Sequence, residues 1–184
     1  MQYDHIMRIL GVDPGLSTAG LGLIESDGKG TLKALDWLVI KTLPTLSLPD
    51  RLLELGTDLE EFLKEAKPDL AVVEELFFST NKRTAMDVSQ ARGVILFTLK
   101  KSGIPVMSAT PLQLKTAITG DGQADKKQMQ AMVKRTLKLD EIPEPADAAD
   151  ALALALYGAF TLRGSQAGVT SPPRNTFHTE RSLV

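Results

Sequence analysis

The chain has 184 residues, 43% hydrophobic and 24% charged, the balance of one globular domain able to bury a sizeable core. It has no cysteine and only two histidines, His5 and His178, near opposite ends. Disulfides, thiolate nucleophiles, iron–sulfur clusters, the common structural zinc sites and a histidine-rich metal site are therefore excluded, and chemistry is left to hydroxyls and carboxylates.

Three strand-like runs open the chain. Arg8 to Asp13 ends at a Pro-Gly turn, Thr18 to Ser26 follows, and a Gly-rich turn leads into Thr31 to Thr42. The short connections predict antiparallel hairpins. Ser47 is placed to cap a helix reaching about Lys67, with Leu52, Leu55, Leu59, Phe62 and Leu63 at helical spacing and Pro68 as its stop. Leu70 to Val73 reads as a short apolar strand, Thr84 to Lys101 as a helix, and Pro105 to Ser108 as another buried strand. Thr110-Pro111 begins a third helix, capping residue first and proline in the first turn. After a Gly-rich loop, Asp125 to Leu137 and Pro145 to Leu162 complete the set. The expected fold is an α/β mixed five-stranded sheet covered by helices, as one domain over residues 1–163. Residues 164–184, poor in apolar side chains, read as a tail. The longest uncharged apolar stretch, Ala151 to Leu162, falls short of the ~20 residues a spanning helix needs. Asp4 precedes any apolar run, unlike a secretory signal, so no membrane and a cytoplasmic location are expected.

Charge is unevenly spread. The net charge is −2, yet Ser79 to Lys138 holds eleven basic and three acidic residues, a local +8 that leaves −10 for the rest. Such asymmetry points to a polyanion-binding stretch.

Four acids stand where chemistry gathers. Asp13 and Glu74 close apolar strands, and strand ends are where such sheets bind ligands. Asp147 and Asp150, spaced i, i+3, share one face of a helix. Ala148, Ala149 and Ala151 leave little bulk to hold that helix off a neighbouring strand. Taken singly each acid has a structural explanation: a turn residue, a strand-end charge, a complement to a helix N-terminus. Taken together, four converging carboxylates need a cation, and all-oxygen ligands select a hard one, Mg²⁺ or Mn²⁺. Two such ions about 3.5–4 Å apart suit phosphodiester hydrolysis. Phe77-Phe78 adjoins Glu74. Adjacent strand residues point to opposite faces, so one of the pair is available to stack on a base. Asn81, Lys82 and Arg83 follow, well placed for phosphates, and Lys127 joins the basic set.

The segments RILGVDPGLSTAGLGLIE, VVEELFFSTNKRTAMDVSQARG, TPLQLKTAITGDGQADKKQMQAMV and PADAADALALAL, in this order, resemble the RuvC family of Holliday-junction resolvases from about Arg8 to Phe160. The resemblance implies an RNase H-like fold, a homodimer, and metal-dependent nicking of two strands of four-way junction DNA. It also implies partnership with the RuvA–RuvB branch-migration complex. It places the catalytic acids on Asp13, Glu74, Asp147 and Asp150, the active-site lysines on Lys115 and Lys126, and the junction-reaching aromatic on Phe77. Ala19 stands where relatives usually have threonine, and Glu75 where a neutral amide is common. At the position of Asp147 relatives carry Asp or His. The Thr84 to Lys101 helix is the expected dimer face, since Met86, Val94, Ile95, Phe97, Thr98 and Leu99 exceed one core-facing stripe. Two other readings stay open at this stage. One is a non-catalytic junction-binding protein of the same fold. The other is a fragment of an actin- or Hsp70-like ATPase, whose phosphate loop VDPGLSTAGLG resembles but whose second lobe this chain lacks.

Overall fold

The computed structural model describes residues 6–75 and 82–166. Ten elements follow one another: β1 (Met7–Asp13), β2 (Thr18–Ser26), β3 (Leu32–Lys41), α1 (Leu48–Ala66), β4 (Leu70–Glu74), α2 (Lys82–Lys101), β5 (Val106–Ala109), α3 (Pro111–Thr119), α4 (Lys126–Leu137) and α5 (Ala146–Gln166). The five strands form one sheet in the order β3-β2-β1-β4-β5. Pairing is antiparallel for β1–β2 and β2–β3, as the short turns dictate, and parallel for β1–β4 and β4–β5, across helical connections.

Strand alternation sorts the side chains into two cores. Leu10 and Val12 of β1, Leu21 and Leu23 of β2, and Ala71 and Val73 of β4 face α1 and α2, packing with Leu55, Leu59, Ile95 and Leu99. Ile9, Ile24, Leu70 and Val72 face the other way, against α3, α4 and α5. By the same period of two, Asp13 and Glu74 point to the α5 side. Helices on both faces explain why β1 and β4 read as unbroken apolar runs.

Local chemistry sets the helix ends near Asp13. Thr110 and Gln113 close a capping box on α3, as Asp125 and Gln128 do on α4, each box satisfying two otherwise orphaned donors. Gly120 ends α3 at φ 79, a left-handed position that disfavours side chains with a Cβ. Ser47 caps α1 by accepting from Asp50 N–H.

Three expectations change. The run predicted as a buried strand at Pro105 to Ser108 is an edge strand, β5, with Val106 37% exposed. A short apolar run has the same periodicity in the middle of a sheet as at its rim. The last helix continues past Leu162 to Gln166, because the single glycine there, Gly164, weakens a helix without ending it. On α2, Ile95, Thr98 and Leu99 are core residues, whereas Met86 (64% exposed) and Phe97 (68%) face outward.

Candidate active site

α5 lies directly on the sheet, and glycine makes this possible. A Cβ on Gly20 would sit 2.0 Å from the Asp147 carbonyl oxygen, one on Gly11 1.8 Å from the Ala151 carbonyl oxygen, and one on Gly22 2.5 Å from the Leu152 nitrogen. The opposing helix surface is Ala148, Ala151 and Ala155, all buried. Backbone thus meets backbone, and the first turns of α5 reach the end of β1. The alanines were visible in the sequence as an absence of bulk. Their glycine counterparts at 20 and 22, two apart and so on one strand face, carried a signal that was missed.

The contact brings carboxylates together. Ligand oxygens of Asp13, Asp147 and Asp150 all lie within 4.8 Å of one another. Asp147 is fully part of this group. Glu74 reaches the same place from β4, next to β1 in the sheet, and lines one cleft of about 230 Å³ with Asp13 and Asp150. Lys115 of α3 and Lys126 of α4 line it too, with Leu114, Met129 and Leu154. A larger hollow of about 790 Å³, between Trp37 and the stretch Lys134 to Glu144, contains none of the predicted residues.

Crowding shows in the proton affinities. Burial, followed by repulsion from Glu74, Asp150 and Asp147, pushes Asp13 from the ordinary 3.8 up to about 7, with Lys126 opposing. Burial and then Asp150 raise Glu74. Lys126 Nζ donates to Asp150 Oδ2 at 2.9 Å, and that bond raises its own pKa. Two lysines, Lys115 and Lys126, against four acids leave an excess of negative charge in a cleft lined by oxygen donors, a fit for hard divalent cations.

The other predicted residues fall variously. Lys127 is exposed at the start of α4, one residue from Lys126. Phe77, Phe78 and Asn81 lie outside the described residues, as do the side chains of Lys82 and Arg83, although α2 begins at Lys82. Ala19 is buried among the residues that face α1 and α2, on the opposite side of the sheet from the carboxylates. Glu75 is exposed, and its N–H donates to the Ala109 carbonyl at 2.8 Å. The sequence reading missed Arg92, whose Nε donates to the Glu74 carbonyl at 2.9 Å.

A mixed sheet that presents two acids at adjacent strand ends, beneath a helix bearing two more, defines a nuclease of the RNase H-like fold. Comparison with known proteins narrows the class. A family model described as crossover junction endodeoxyribonuclease RuvC matches residues 9–157, and the chain belongs to that family. It is 48% identical over 157 residues to the RuvC of Syntrophomonas wolfei, covering 85% of this chain and 91% of the relative. A Thermus thermophilus RuvC in complex with Holliday junction substrate superposes with a TM-score of 0.82 at 35% identity, covering 86% of this chain and 96% of the other. The yeast mitochondrial resolvase Ydc2 shares the fold, with a TM-score of 0.64 at 13% identity over 87% of this chain and 81% of the other.

Proposed function

We propose that this protein resolves four-way DNA junctions by nicking two strands, hydrolysing a phosphodiester in each to 5′-phosphate and 3′-hydroxyl ends. The observation that carries the reading is the convergence of Asp13, Asp147 and Asp150 in a chain of the RuvC family, beside a cleft shared with Glu74, Lys115 and Lys126. Asp13, Asp147 and Asp150 would hold one Mg²⁺ or Mn²⁺ ion, and Asp13 with Glu74 a second. When bound, such a pair neutralises the scissile phosphate, activates a water and stabilises the leaving oxygen. The protein's own groups do the rest. Lys126 balances Asp150 in the metal-free protein, and from the same cleft Lys126 and Lys115 hold the non-bridging oxygens. Leu114, Met129 and Leu154 keep one wall dry, which strengthens these interactions. Phe77 stacks on a base unpaired at the crossover, and Phe78, Asn81, Lys82, Arg83 and Lys127 position the flanking strands.

Two symmetric nicks call for two sites, and a two-fold dimer supplies them. Met86, Gln90, Gly93 and Phe97 are exposed at i, i+4, i+7 and i+11 on α2, one stripe with a bare glycine between large side chains. Nothing lies within 4 Å of a Cβ built on Gly93, so a second copy of the helix can approach closely there. Delivery of junctions by the RuvA–RuvB branch-migration complex belongs to the same reading and rests on family membership. Action on DNA in the cytoplasm is expected. Among the described residues no helix is long and apolar enough to cross a membrane.

The direct test is incubation of a synthetic four-way junction with the protein and Mn²⁺. Paired nicks that vanish with EDTA are expected. Tight binding without cleavage would instead identify a non-catalytic junction-binding protein.

A further inference from the structure

β1 and β4 end level at the site, at Asp13 and Glu74. The parallel register of the two strands ends at Val12 opposite Val73, so the Glu74 carbonyl lies beyond that ladder. A side chain takes it. Arg92 Nε donates to Glu74 O at 2.9 Å, while Nη2 of the same guanidinium donates to Ser108 Oγ at 3.2 Å. One planar group thereby joins α2, β4 and β5 at Glu74, the last residue of β4, which still pairs with Ala109 of β5. Among the described residues Arg92 makes no ion pair with a carboxylate. For two neutral acceptors a neutral donor would tie the helix down as well. What arginine adds is a rigid fork that fixes two bonds in one geometry. Its effect on Glu74 does not run through charge, because burial and Asp150 account for the raised Glu74 pKa.

We infer that Arg92 is a positioning residue for Glu74: the peptide that follows Glu74 is held on one side by the Glu75 N–H bond to the Ala109 carbonyl, and Arg92 anchors its other side, so that together they set the direction in which the carboxylate leaves the strand toward its metal ion. The inference rests on the two-ion reading above. A group that orients a metal ligand from behind typically changes metal affinity by 10–100-fold when altered. The effect here is confined to one ion, since Asp147 and Asp150 stand on α5, which Arg92 does not touch.

The experiment is a Mn²⁺ titration of the whole protein, read by loss of the free-ion electron paramagnetic resonance signal. Wild type is compared with Glu74→Gln, Arg92→Lys and Ser108→Ala, with melting temperature and junction affinity in EDTA measured alongside. Wild type binds two ions and Glu74→Gln one; any other result here overturns the two-ion reading itself. Given that pattern, Arg92→Lys keeps the wild-type melting temperature, junction affinity and affinity for the first ion. Its dissociation constant for the second ion rises by about 10-fold, and raised Mn²⁺ restores its cleavage rate. Ser108→Ala shifts the same constant in the same direction by less. Unchanged binding of both ions to Arg92→Lys, or equal weakening of both, overturns the inference alone. If Arg92→Lys does not fold, Ser108→Ala decides, and unaltered affinity for the second ion there overturns the inference.

Discussion

Asp13 holds the strongest tension at the residue scale. Its folded pKa near 7 stands above the 3.8 of an exposed aspartate because burial and three other acids disfavour its charge. Between about pH 4 and pH 7 the folded, metal-free protein keeps a proton that the unfolded chain has released, so stability falls as pH rises through that window. At pH 8 the deficit is on the order of 4 kcal/mol at most. Asp13→Asn removes it. In urea unfolding with EDTA, the variant is expected to be more stable than wild type at pH 8 and to lose that advantage as the pH is lowered toward 4. An advantage independent of pH would contradict the assignment of the tension to ionisation. Asp150 gives a second test at this scale. Asp150→Asn removes one ligand and the ionic partner of Lys126. Junction cleavage should fall on the order of 10³-fold, while junction binding holds or tightens as negative charge leaves the cleft. Near-normal cleavage by the folded variant would remove Asp150 from the site.

At the scale of elements, the contact between α5 and the β1–β2 hairpin decides whether a site exists. Gly20 pairs directly with Asp13 across the hairpin and meets the Asp147 carbonyl on the helix, so one position gauges the distance between the acids. Gly20→Ala places a methyl group 2.0 Å from backbone that cannot swing away. The expected cost is ~1–3 kcal/mol or more, with loss of metal binding as α5 is pushed outward. Calorimetry and Mn²⁺ titration on the same sample check both, and an unchanged melting temperature would show that the helix is not held by this contact. Elements such as these were legible in proportion to how local their causes are. Ser47, Thr110-Pro111 and Asp125 announced helix starts because capping is a property of three or four neighbouring residues. The edge position of β5 was not legible, since it depends on which strands lie beside it. Arg92 was hidden for the same reason: its acceptors on β4 and β5 are 18 and 16 residues away. The four acids could be picked out because strand ends and i, i+3 spacing are local. That Asp147 belongs with Asp13 as closely as Asp150 does follows only from the glycine-lined contact.

For the whole molecule, the charge asymmetry divides into two uses. Lys100 and Lys101 end α2, and Lys134 and Arg135 end α4, where positive charge complements the helix C-termini. Lys101 also pairs with Glu60 at 2.7 Å. Lys100 and Lys101 lie at the end of the sheet away from Asp13, where α2 leads into β5. Lys115, Lys126 and Lys127 stand at the near end, with α2 beginning there at Lys82, and the proposed function assigns them to phosphates. If a dimer neutralises about six phosphates, log K for junction binding falls with log salt at a slope of roughly −5. Salt-insensitive binding would contradict this division. Phe97, 68% exposed, tests the dimer without disturbing the core. Phe97→Glu should yield a folded monomer by light scattering that cuts a junction singly instead of in pairs.

The central claim, that one carboxylate cluster per chain performs metal-dependent hydrolysis at a four-way junction, is tested most directly by end-labelled cleavage. Each strand of a junction and of a matched duplex is labelled in turn and incubated with wild type, Glu74→Gln and Asp150→Asn, in Mn²⁺ and in EDTA. The account predicts symmetric nicks in two opposed strands of the junction, 5′-phosphate ends, no cutting of the duplex, and none by either variant or in EDTA. Equal cutting of duplex and junction, or undiminished cutting by both variants, would contradict it.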